Sequence, residues 1–297
     1  MISRTVSPFF DGAEALRESF EQRVGPHRSA DPDRFVWDYW HVPERYTYVR
    51  THARRVFPPA LYSRFVARLR GWGEAALGCS RISEPWLSYY VGGCRQELHT
   101  DVVQGTWAFV FSLTRWDDRR FTGGETVLAR PALLGYWREF DSSRPLEQDA
   151  LMERVPALFN QLIVFDARVP HGVARVGGTR DPIESRVAIH GWFLPATLSV
   201  KGGLGVAAVR DAIAPVAAAW TRAVEARGWI GGTTWRMSVD RRGEVVRCEL
   251  VVDNLVAPEG GPVAEVVEEA RQRLSEIRFP PSDRDTAVVF ALTAEAR

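Results

Sequence analysis

The sequence predicts two domains: a mainly β domain over residues 1–199 and a small α+β domain over residues 200–297. From about residue 86 to residue 194, short runs rich in β-branched and aromatic residues follow one another, separated by Gly-rich or charged turns. Several short strands with such punctuation are typical of a barrel or a sandwich. After residue 200 the order becomes helix, strand, strand, helix, strand, which indicates a compact α+β domain.

The segment before the strand-rich core predicts one strand and one helix. Aromatic residues around Pro43 predict a strand near residues 46–52. The segment PPALYSRFVARLRGWGEAALG (58–78) begins with two prolines, which suits the first turn of a helix. Its apolar residues stand at helical spacing: Leu61, Phe65 and Leu69. We therefore expect an amphipathic helix there.

Two features interrupt the regular pattern. Residues 133–160 look like an excursion between two strands of the core, and a segment of this length can form a lid over a site. In the second domain, the Ala-rich segment 205–228 predicts a helix. Pro215 lies inside it and predicts a kink or a break, because proline cannot donate a helical hydrogen bond. A hairpin that turns at Arg241–Gly243 follows.

Composition excludes several classes of function. The 297 residues are 45% hydrophobic and 25% charged, which is typical of a globular protein. The formal net charge of +1 gives no reason to expect a nucleic-acid or acidic-membrane partner. No stretch reaches the roughly 18 apolar residues that a membrane span needs. The sequence therefore predicts no nucleic-acid partner and no membrane partner.

The three cysteines indicate a reducing environment. Cys79, Cys94 and Cys248 are widely separated and form neither a CxxC pair nor an even disulfide framework. The first twenty residues lack a basic region followed by an apolar run. We therefore expect a cytoplasmic protein.

A histidine and a carboxylate two residues apart suggest a metal site. On an extended segment His99 and Asp101 project to the same face, so both can reach one ion. A third ligand is required, and His171 is favoured because it follows an apolar strand beside a turn. The other candidates are His27, His41, His52 and His190. Two histidines and one carboxylate form the facial triad of non-haem Fe(II) oxygenases. An isolated HxD pair is more often a polar turn than a pair of ligands.

Arg186 provides a second indication of a ligand-binding site. It opens an apolar strand, and its planar guanidinium can hold a carboxylate through two hydrogen bonds. Alternation along that strand places Ala188, His190 and Trp192 on the same face as Arg186. The competing interpretations are a surface arginine at an edge strand, or Arg180 as the carboxylate binder.

The order of these motifs resembles a known family. In residues 86–194, YYVGGCRQELHTD is followed by FVFSLTRW, FTGGET, VFDARVPHGVARV and RVAIHGWF. This segment is similar to the catalytic core of 2-oxoglutarate- and Fe(II)-dependent dioxygenases, most closely the prolyl-4-hydroxylase-like branch. The 133–160 insertion is long for that group, and so is the gap from His171 to Arg186.

The resemblance implies a fold and a set of site residues. The fold is a double-stranded β-helix, a jelly-roll barrel with flanking helices. His99, Asp101 and His171 correspond to the catalytic iron ligands, and Arg186 to the residue that holds the distal carboxylate of 2-oxoglutarate. Tyr89 or Tyr90 corresponds to a tyrosine that contacts the co-substrate; the spacing does not decide which. The turn glycines Gly123 and Gly124 have a conformational role.

The resemblance also implies a reaction. The cofactors would be Fe(II), 2-oxoglutarate and O2, with ascorbate as a supporting reductant. The products would be succinate, CO2 and a hydroxylated amino-acid side chain in a peptide, a protein or a small natural product. Related halogenases have a small residue where Asp101 stands, so Asp101 favours hydroxylation. Candidate pocket residues are Trp107, Trp116, Trp137, His190 and Trp192, although packing is the commoner role of a tryptophan.

The C-terminal segment resembles TonB-like carboxy-terminal domains. The motifs are WRMSVDRRGEVVRCELV, EIRFPP and AVVFAL, and the similarity covers roughly residues 205–297. It implies partner or peptide binding, or homodimerisation; the alternative is a structural appendage. Two other functions stay open at this point. One is a degenerate barrel that acts as a protein-binding module through this domain, and the other is a cupin-type metalloenzyme that does not use 2-oxoglutarate.

Overall fold

The chain divides into two compact units. The computed structural model describes residues 2–24, 38–130, 133, 148–257 and 261–294. The larger unit consists of residues 2–70 and 82–194, and the smaller one of residues 71–81 and 195–297. The smaller unit thus begins at Pro195 and also takes in residues 71–81, whereas the sequence places a single division at residue 200.

The larger unit contains an antiparallel sheet of eleven strands. The strands are β1 (Ser3–Val6), β2 (Asp38–Val42), β3 (Tyr46–His52), β4 (Trp86–Tyr90), β5 (Arg95–His99), β6 (Trp107–Ser112), β7 (Thr126–Ala129), β8 (Met152–Val155), β9 (Gln161–Asp166), β10 (His171–Val173) and β11 (Arg186–Phe193). Their order in the sheet is β1-β9-β6-β11-β4-β3-β5-β10-β7-β8, and β2 pairs with β3. The predicted strand near 46–52 is β3.

The sheet curls so that strands far apart in this order face each other. Arg186 on β11 donates from Nη2 to Thr126 Oγ1 on β7 over 3.3 Å, although four strands separate them along the sheet. His171 on β10 and Phe165 on β9 have ring centroids 4.6 Å apart. These distances require the sheet to curl into a barrel-like shape. The mainly β prediction is confirmed, and the curled antiparallel sheet is consistent with a jelly roll.

Helices and buried strands stabilise the larger unit. The helix Ala13–Val24 buries Leu16 and Phe20 completely. The helix Pro59–Leu77 agrees with the predicted amphipathic helix, and it buries Phe65 and Leu69. Every residue of β9 is buried, and the four residues at its centre, Leu162–Phe165, are all apolar. These contacts hold the strands in a fixed register, and the register determines which side chains point inward.

The predicted insertion lies partly outside the described residues. Residues 131–132 and 134–147, and with them Trp137, are among those not described, so the predicted lid stays a prediction. The end of the segment differs from the expectation, because β8 pairs with β7 and extends the sheet. Backbone pairing at this edge, which apolar periodicity does not reveal, accounts for the difference.

The smaller unit follows the predicted order of elements. It contains β12 (Ser199–Lys201), helix Val206–Glu225, β13 (Gly231–Val239), β14 (Val245–Asp253), helix Val263–Ser275 and β15 (Thr286–Ala294). The sheet order is β12-β15-β13-β14. Trp235, Met237 and Val288 are fully buried at the centre of its core. Nothing in this geometry tests the likeness to TonB-like domains, which stays a prediction.

Pro215 does not break its helix. One helix runs from Val206 to Glu225 with Pro215 inside it. Val209 and Ile213 before the proline, and Trp220 and Val224 after it, are all buried in the same core. Burial of both halves offsets the hydrogen bond that proline cannot make.

Among the described residues, no helix combines the length and the apolar character needed to cross a bilayer. The prediction of no membrane partner and the predicted cytoplasmic location are not tested further by the fold.

Candidate functional site

The curled sheet encloses a cavity of about 710 Å³ in the larger unit. Its lining consists mainly of inward side chains from β3, β4, β5, β6, β7, β10 and β11. Four of the residues predicted for the site from the HxD pattern and the arginine lie in this lining: His99, Asp101, His171 and Arg186. The closure of the sheet thus brings together residues up to 87 positions apart, since 186 − 99 = 87.

The three predicted metal ligands form one cluster. His99 ends β5, His171 begins β10, and the two residues are direct partners in the antiparallel pair. Asp101 lies just beyond β5, with Oδ1 3.8 Å from His99 Nε2 and Oδ2 3.2 Å from His171 Nε2. One ligand atom from each of the three residues lies within 4.8 Å of the others. Donor atoms this close can coordinate a single ion.

The hydrogen bonds of the two imidazoles determine which nitrogen faces the cluster. His99 Nδ1 lies 2.8 Å from Glu97 O, and His171 Nδ1 lies 2.9 Å from Val169 O. A carbonyl oxygen can only accept, so each Nδ1 carries a proton and donates it. In the neutral rings each Nε2 then presents a lone pair toward the Asp101 carboxylate. Lone pairs and a carboxylate repel one another unless a cation lies between them, and this arrangement fits a divalent metal.

Asp101 is held as a carboxylate. Burial raises the pKa of Asp101, but its interactions with His171, with Trp192 and with the nearby His99 outweigh burial, so the pKa lies below its usual value. Trp192 Nε1 donates to Asp101 Oδ2 over 3.0 Å. The indole therefore orients the carboxylate from outside the cluster of ligands.

Arg186 lies in the interior of the same cavity and is only 2% exposed. Nη2 donates to Thr126 Oγ1, and the guanidinium lies over the Tyr90 ring, 4.7 Å from its centroid. Its Nε is buried without a hydrogen-bond partner. Burial lowers the pKa of Arg186, although Tyr90 and Glu125 oppose that shift. A buried guanidinium with an unused donor is an anion site of the kind that a carboxylate fills.

The structure distinguishes the two tyrosines. Tyr90 is 2% exposed, lines the cavity and donates to Gln96 Oε1 over 3.0 Å. Burial raises the pKa of Tyr90. Tyr89 points to the opposite side of β4, where its ring centroid lies 6.4 Å from that of Phe20. Alternation along the strand therefore places Tyr90, and not Tyr89, beside Arg186.

Some of the predicted pocket residues line the cavity, and others do not. Trp192 and His190 line the cavity, and His190 Nε2 lies 2.6 Å from Ser88 Oγ. Burial lowers the pKa of His190 to about 3, helped by the positive charges of Arg50 and Arg186. Trp107 is 2% exposed and does not line the cavity. It alternates with the inward Ala108, so its prediction as a pocket residue needs correction.

Apart from His190, the other described candidates lie outside the cavity lining. Arg180 is exposed and absent from the cavity lining. His41 is exposed, with Nδ1 2.8 Å from Thr47 Oγ1. His52 stacks on Trp86 with centroids 4.0 Å apart. Trp116 packs edge-to-face on Phe121 in the core. His27 lies outside the described residues.

Thr126, Gln96 and Arg50 are among the lining residues that the sequence analysis did not predict. Thr126 follows the GGE turn and reaches Arg186, Gln96 accepts from Tyr90, and Arg50 lies on β3. The GGET motif was a signal for Thr126 that could have been used. The inward direction of Arg50 and Gln96 depends on strand alternation in segments whose register the sequence did not fix.

Solved structures similar to this chain include two prolyl hydroxylases and a non-heme alpha ketoglutarate dependent epimerase. One is a prolyl hydroxylase from Trichoplax adhaerens in complex with a hypoxia inducible factor peptide, with 16% identity over 65% of this chain and 83% of that chain and a TM-score of 0.44. A prolyl-4-hydroxylase from Pseudomonas putida has 16% identity over 65% of this chain and 91% of that chain, with a TM-score of 0.43. The epimerase SnoN from nogalamycin biosynthesis has 16% identity over 64% of this chain and 74% of that chain, with a TM-score of 0.45.

No protein-family model matches the sequence, and no curated protein is detectably similar to it. At these TM-scores the structural likeness is loose.

Proposed function

We propose that this chain is an Fe(II)- and 2-oxoglutarate-dependent oxygenase that hydroxylates an unactivated C–H bond of an amino-acid side chain. The substrate would be a peptide, a protein or a small natural product. The observation that carries the proposal is the presence of a His-Asp-His cluster and an unsatisfied buried guanidinium in one cavity.

The cluster supports a metal of the first transition series. Imidazole nitrogen and carboxylate oxygen suit Fe(II), and a triad leaves open positions for a chelating co-substrate and for dioxygen. The backbone hydrogen bonds of His99 and His171 orient both rings before any metal binds. A site oriented in this way loses little entropy on metal binding.

Arg186 supports a dicarboxylate co-substrate. One end of 2-oxoglutarate would chelate the metal, and its distal carboxylate would accept hydrogen bonds from Arg186, with Thr126 and Tyr90 beside it. The buried Nε has no acceptor among the described residues, so a carboxylate would provide one. A cupin-type metalloenzyme without 2-oxoglutarate has no use for this arginine.

In the proposed reaction, 2-oxoglutarate, O2 and a C–H bond of the substrate are converted into succinate, CO2 and a C–OH group on the substrate. Bound iron supplies activation of dioxygen and transfer of one oxygen atom. The protein orients the carboxylate of Asp101 through Trp192 and surrounds the centre with aromatic walls that limit water access. Dioxygen is a reactant in this proposal, and ascorbate would serve only to keep the iron reduced.

Calorimetry under anaerobic conditions tests the proposal. Wild-type protein loaded with Fe(II) should bind 2-oxoglutarate, and the metal-free protein should bind it much more weakly. Asp101→Ala should lose metal binding, and Arg186→Gln should keep metal binding but weaken 2-oxoglutarate binding by about tenfold or more. His41→Ala is a control for removal of an imidazole outside the cavity and should change neither.

Aerobic formation of succinate from 2-oxoglutarate would then report turnover. It should require Fe(II) and disappear in Asp101→Ala. Binding of 2-oxoglutarate that is independent of metal and unchanged in Arg186→Gln would contradict the proposal.

A further inference from the structure

A second guanidinium lies in the cavity and is not used by the proposed reaction. Arg50 is on β3, with its side chain on the inward face. Its Cζ lies 3.7 Å from the centroid of the Trp40 ring and 4.0 Å from that of Trp86. Two indole faces at these distances hold the guanidinium plane in one orientation through cation–π contacts.

Among the residues that the structure describes, this guanidinium has no anionic partner. Its Nη1 makes one long contact of 3.4 Å to the hydroxyl of Tyr48, and its Nε is buried without an acceptor. Within the described part of the chain, none of the ion pairs includes Arg50. A partly buried cation with unused donors is costly unless a ligand satisfies them.

The carboxylates that share the cavity are not available to Arg50. Asp101 contacts the two histidines and Trp192. Glu97 is exposed and pairs with Arg95 over 2.5 Å. Glu44 is exposed at a turn. Among the described lining residues, Arg50 and Arg186 are therefore the inner cations without an acid partner, while Arg45, the third arginine of the lining, is exposed.

We propose that Arg50 binds a carboxylate of the substrate. This inference rests on the proposed function and specifies its substrate class: molecules that carry a free carboxylate next to an apolar portion. Arg186, together with Thr126, would be occupied by the distal carboxylate of 2-oxoglutarate, which leaves Arg50 for the molecule to be oxidised. The planar fork of Arg50 matches a carboxylate, and Trp40, Tyr46 and Tyr48 supply the apolar wall.

Matched acid and amide probes test this assignment. The pairs are hexanoate with hexanamide and 3-phenylpropionate with 3-phenylpropanamide, each titrated into protein saturated with Mn(II) and 2-oxoglutarate. Binding is followed by calorimetry and by tryptophan fluorescence, which reports on Trp40 and Trp86 beside Arg50. We expect wild-type protein to prefer each acid over its amide by about tenfold or more.

Three variants test whether Arg50 causes the preference for the acid over the amide. Arg50→Gln should abolish this preference. Arg50→Lys, which keeps the charge without the planar fork, should reduce it severalfold. Arg54→Gln removes an exposed arginine of the same segment and should retain it in full. If Arg50→Gln does not fold, Arg50→Lys decides alone, and an unchanged preference in it would count against the proposal.

The outcomes separate this inference from the proposed function. The same titrations are repeated with the Arg186→Gln variant, without metal and without 2-oxoglutarate. Under these conditions Arg50 is the cation under test. A preference there that depends on Arg50 supports the subsite even if 2-oxoglutarate does not bind. Equal affinity of acid and amide in wild type, or a preference that survives Arg50→Gln, overturns the subsite. An Arg50→Gln variant that instead weakens 2-oxoglutarate binding would show that Arg50 serves the co-substrate, and would also overturn it.

Discussion

His99 and His171 are direct partners in the antiparallel pair of β5 and β10, and their ring centroids are 4.4 Å apart. The backbone register therefore brings the two imidazoles together, and each ring is oriented by its own hydrogen bond to a main-chain carbonyl. Asp101 completes the cluster from the loop that follows β5. Strand register and main-chain hydrogen bonds therefore determine the arrangement of the donor atoms.

Trp192→Phe should weaken metal binding. The change removes the 3.0 Å hydrogen bond from Nε1 to Asp101 Oδ2 and keeps most of the ring volume. Loss of an outer hydrogen bond of this kind lowers metal affinity by about 10- to 100-fold. Anaerobic calorimetry with Fe(II) measures it. Trp107→Phe is the matched control, because Trp107 is buried outside the cavity and should change stability but not metal affinity. Equal metal affinity in both variants would contradict this role for Trp192.

Tyr90→Phe and Tyr89→Phe form a second matched pair. Tyr90 contacts Arg186 and donates to Gln96, whereas Tyr89 packs toward Phe20 on the other side of β4. We expect Tyr90→Phe to weaken 2-oxoglutarate binding by about threefold to tenfold, since one neutral hydrogen bond contributes about 0.5–1.5 kcal/mol. Tyr89→Phe should leave the dissociation constant unchanged. The opposite order would show that the inward face of β4 is misassigned.

His190 should make the protein sensitive to acid. Burial, together with the charges of Arg50 and Arg186, lowers its pKa from 6.5 to about 3. Between these values the unfolded chain binds a proton that the folded chain does not, so stability falls as the pH falls through this window. The contribution is at most about 1.4 kcal/mol per pH unit.

His190→Gln should therefore lose less stability than wild type when the pH is lowered from 6.5. Urea unfolding at a series of pH values measures the difference, and the comparison between the two proteins removes the contribution of the carboxylates that they share. Parallel pH profiles would show that His190 titrates normally.

Gly123→Ala should destabilise the larger unit. Gly123 has a φ of +73°, and a Cβ there would lie 2.0 Å from the carbonyl oxygen of Arg175. A side chain in this conformation with a backbone clash costs on the order of 2 kcal/mol or more. Gly71→Ala is the control, because a Cβ at this helical position meets nothing within 4 Å and alanine favours helix by about 1 kcal/mol. Thermal unfolding should shift down for Gly123→Ala and not for Gly71→Ala.

The sequence predicted those parts of the fold that depend on local pattern. Helical spacing of Phe65 and Leu69 predicted the helix Pro59–Leu77, and the alternation of apolar and polar runs predicted most strands of the sheet. Local pattern was not sufficient where tertiary packing decides the outcome. Of the kink or break predicted at Pro215, the break does not occur, and β8 joins the sheet edge. In both cases the deciding contacts come from segments distant in sequence.

For the candidate site, the sequence determined the chemical types and the likeness to a family: an HxD pair, a later histidine and an arginine at a strand start. Only the tertiary structure decided that these residues share one cavity, that Tyr90 faces it in place of Tyr89, and that Trp107 does not. The physical reason is strand register: a shift of one residue turns every side chain to the opposite face, and register follows from pairing across the whole sheet. Pairing of the neighbouring strands β2, β3 and β4 placed Arg50 between Trp40 and Trp86, a contact among three segments that no local pattern specifies.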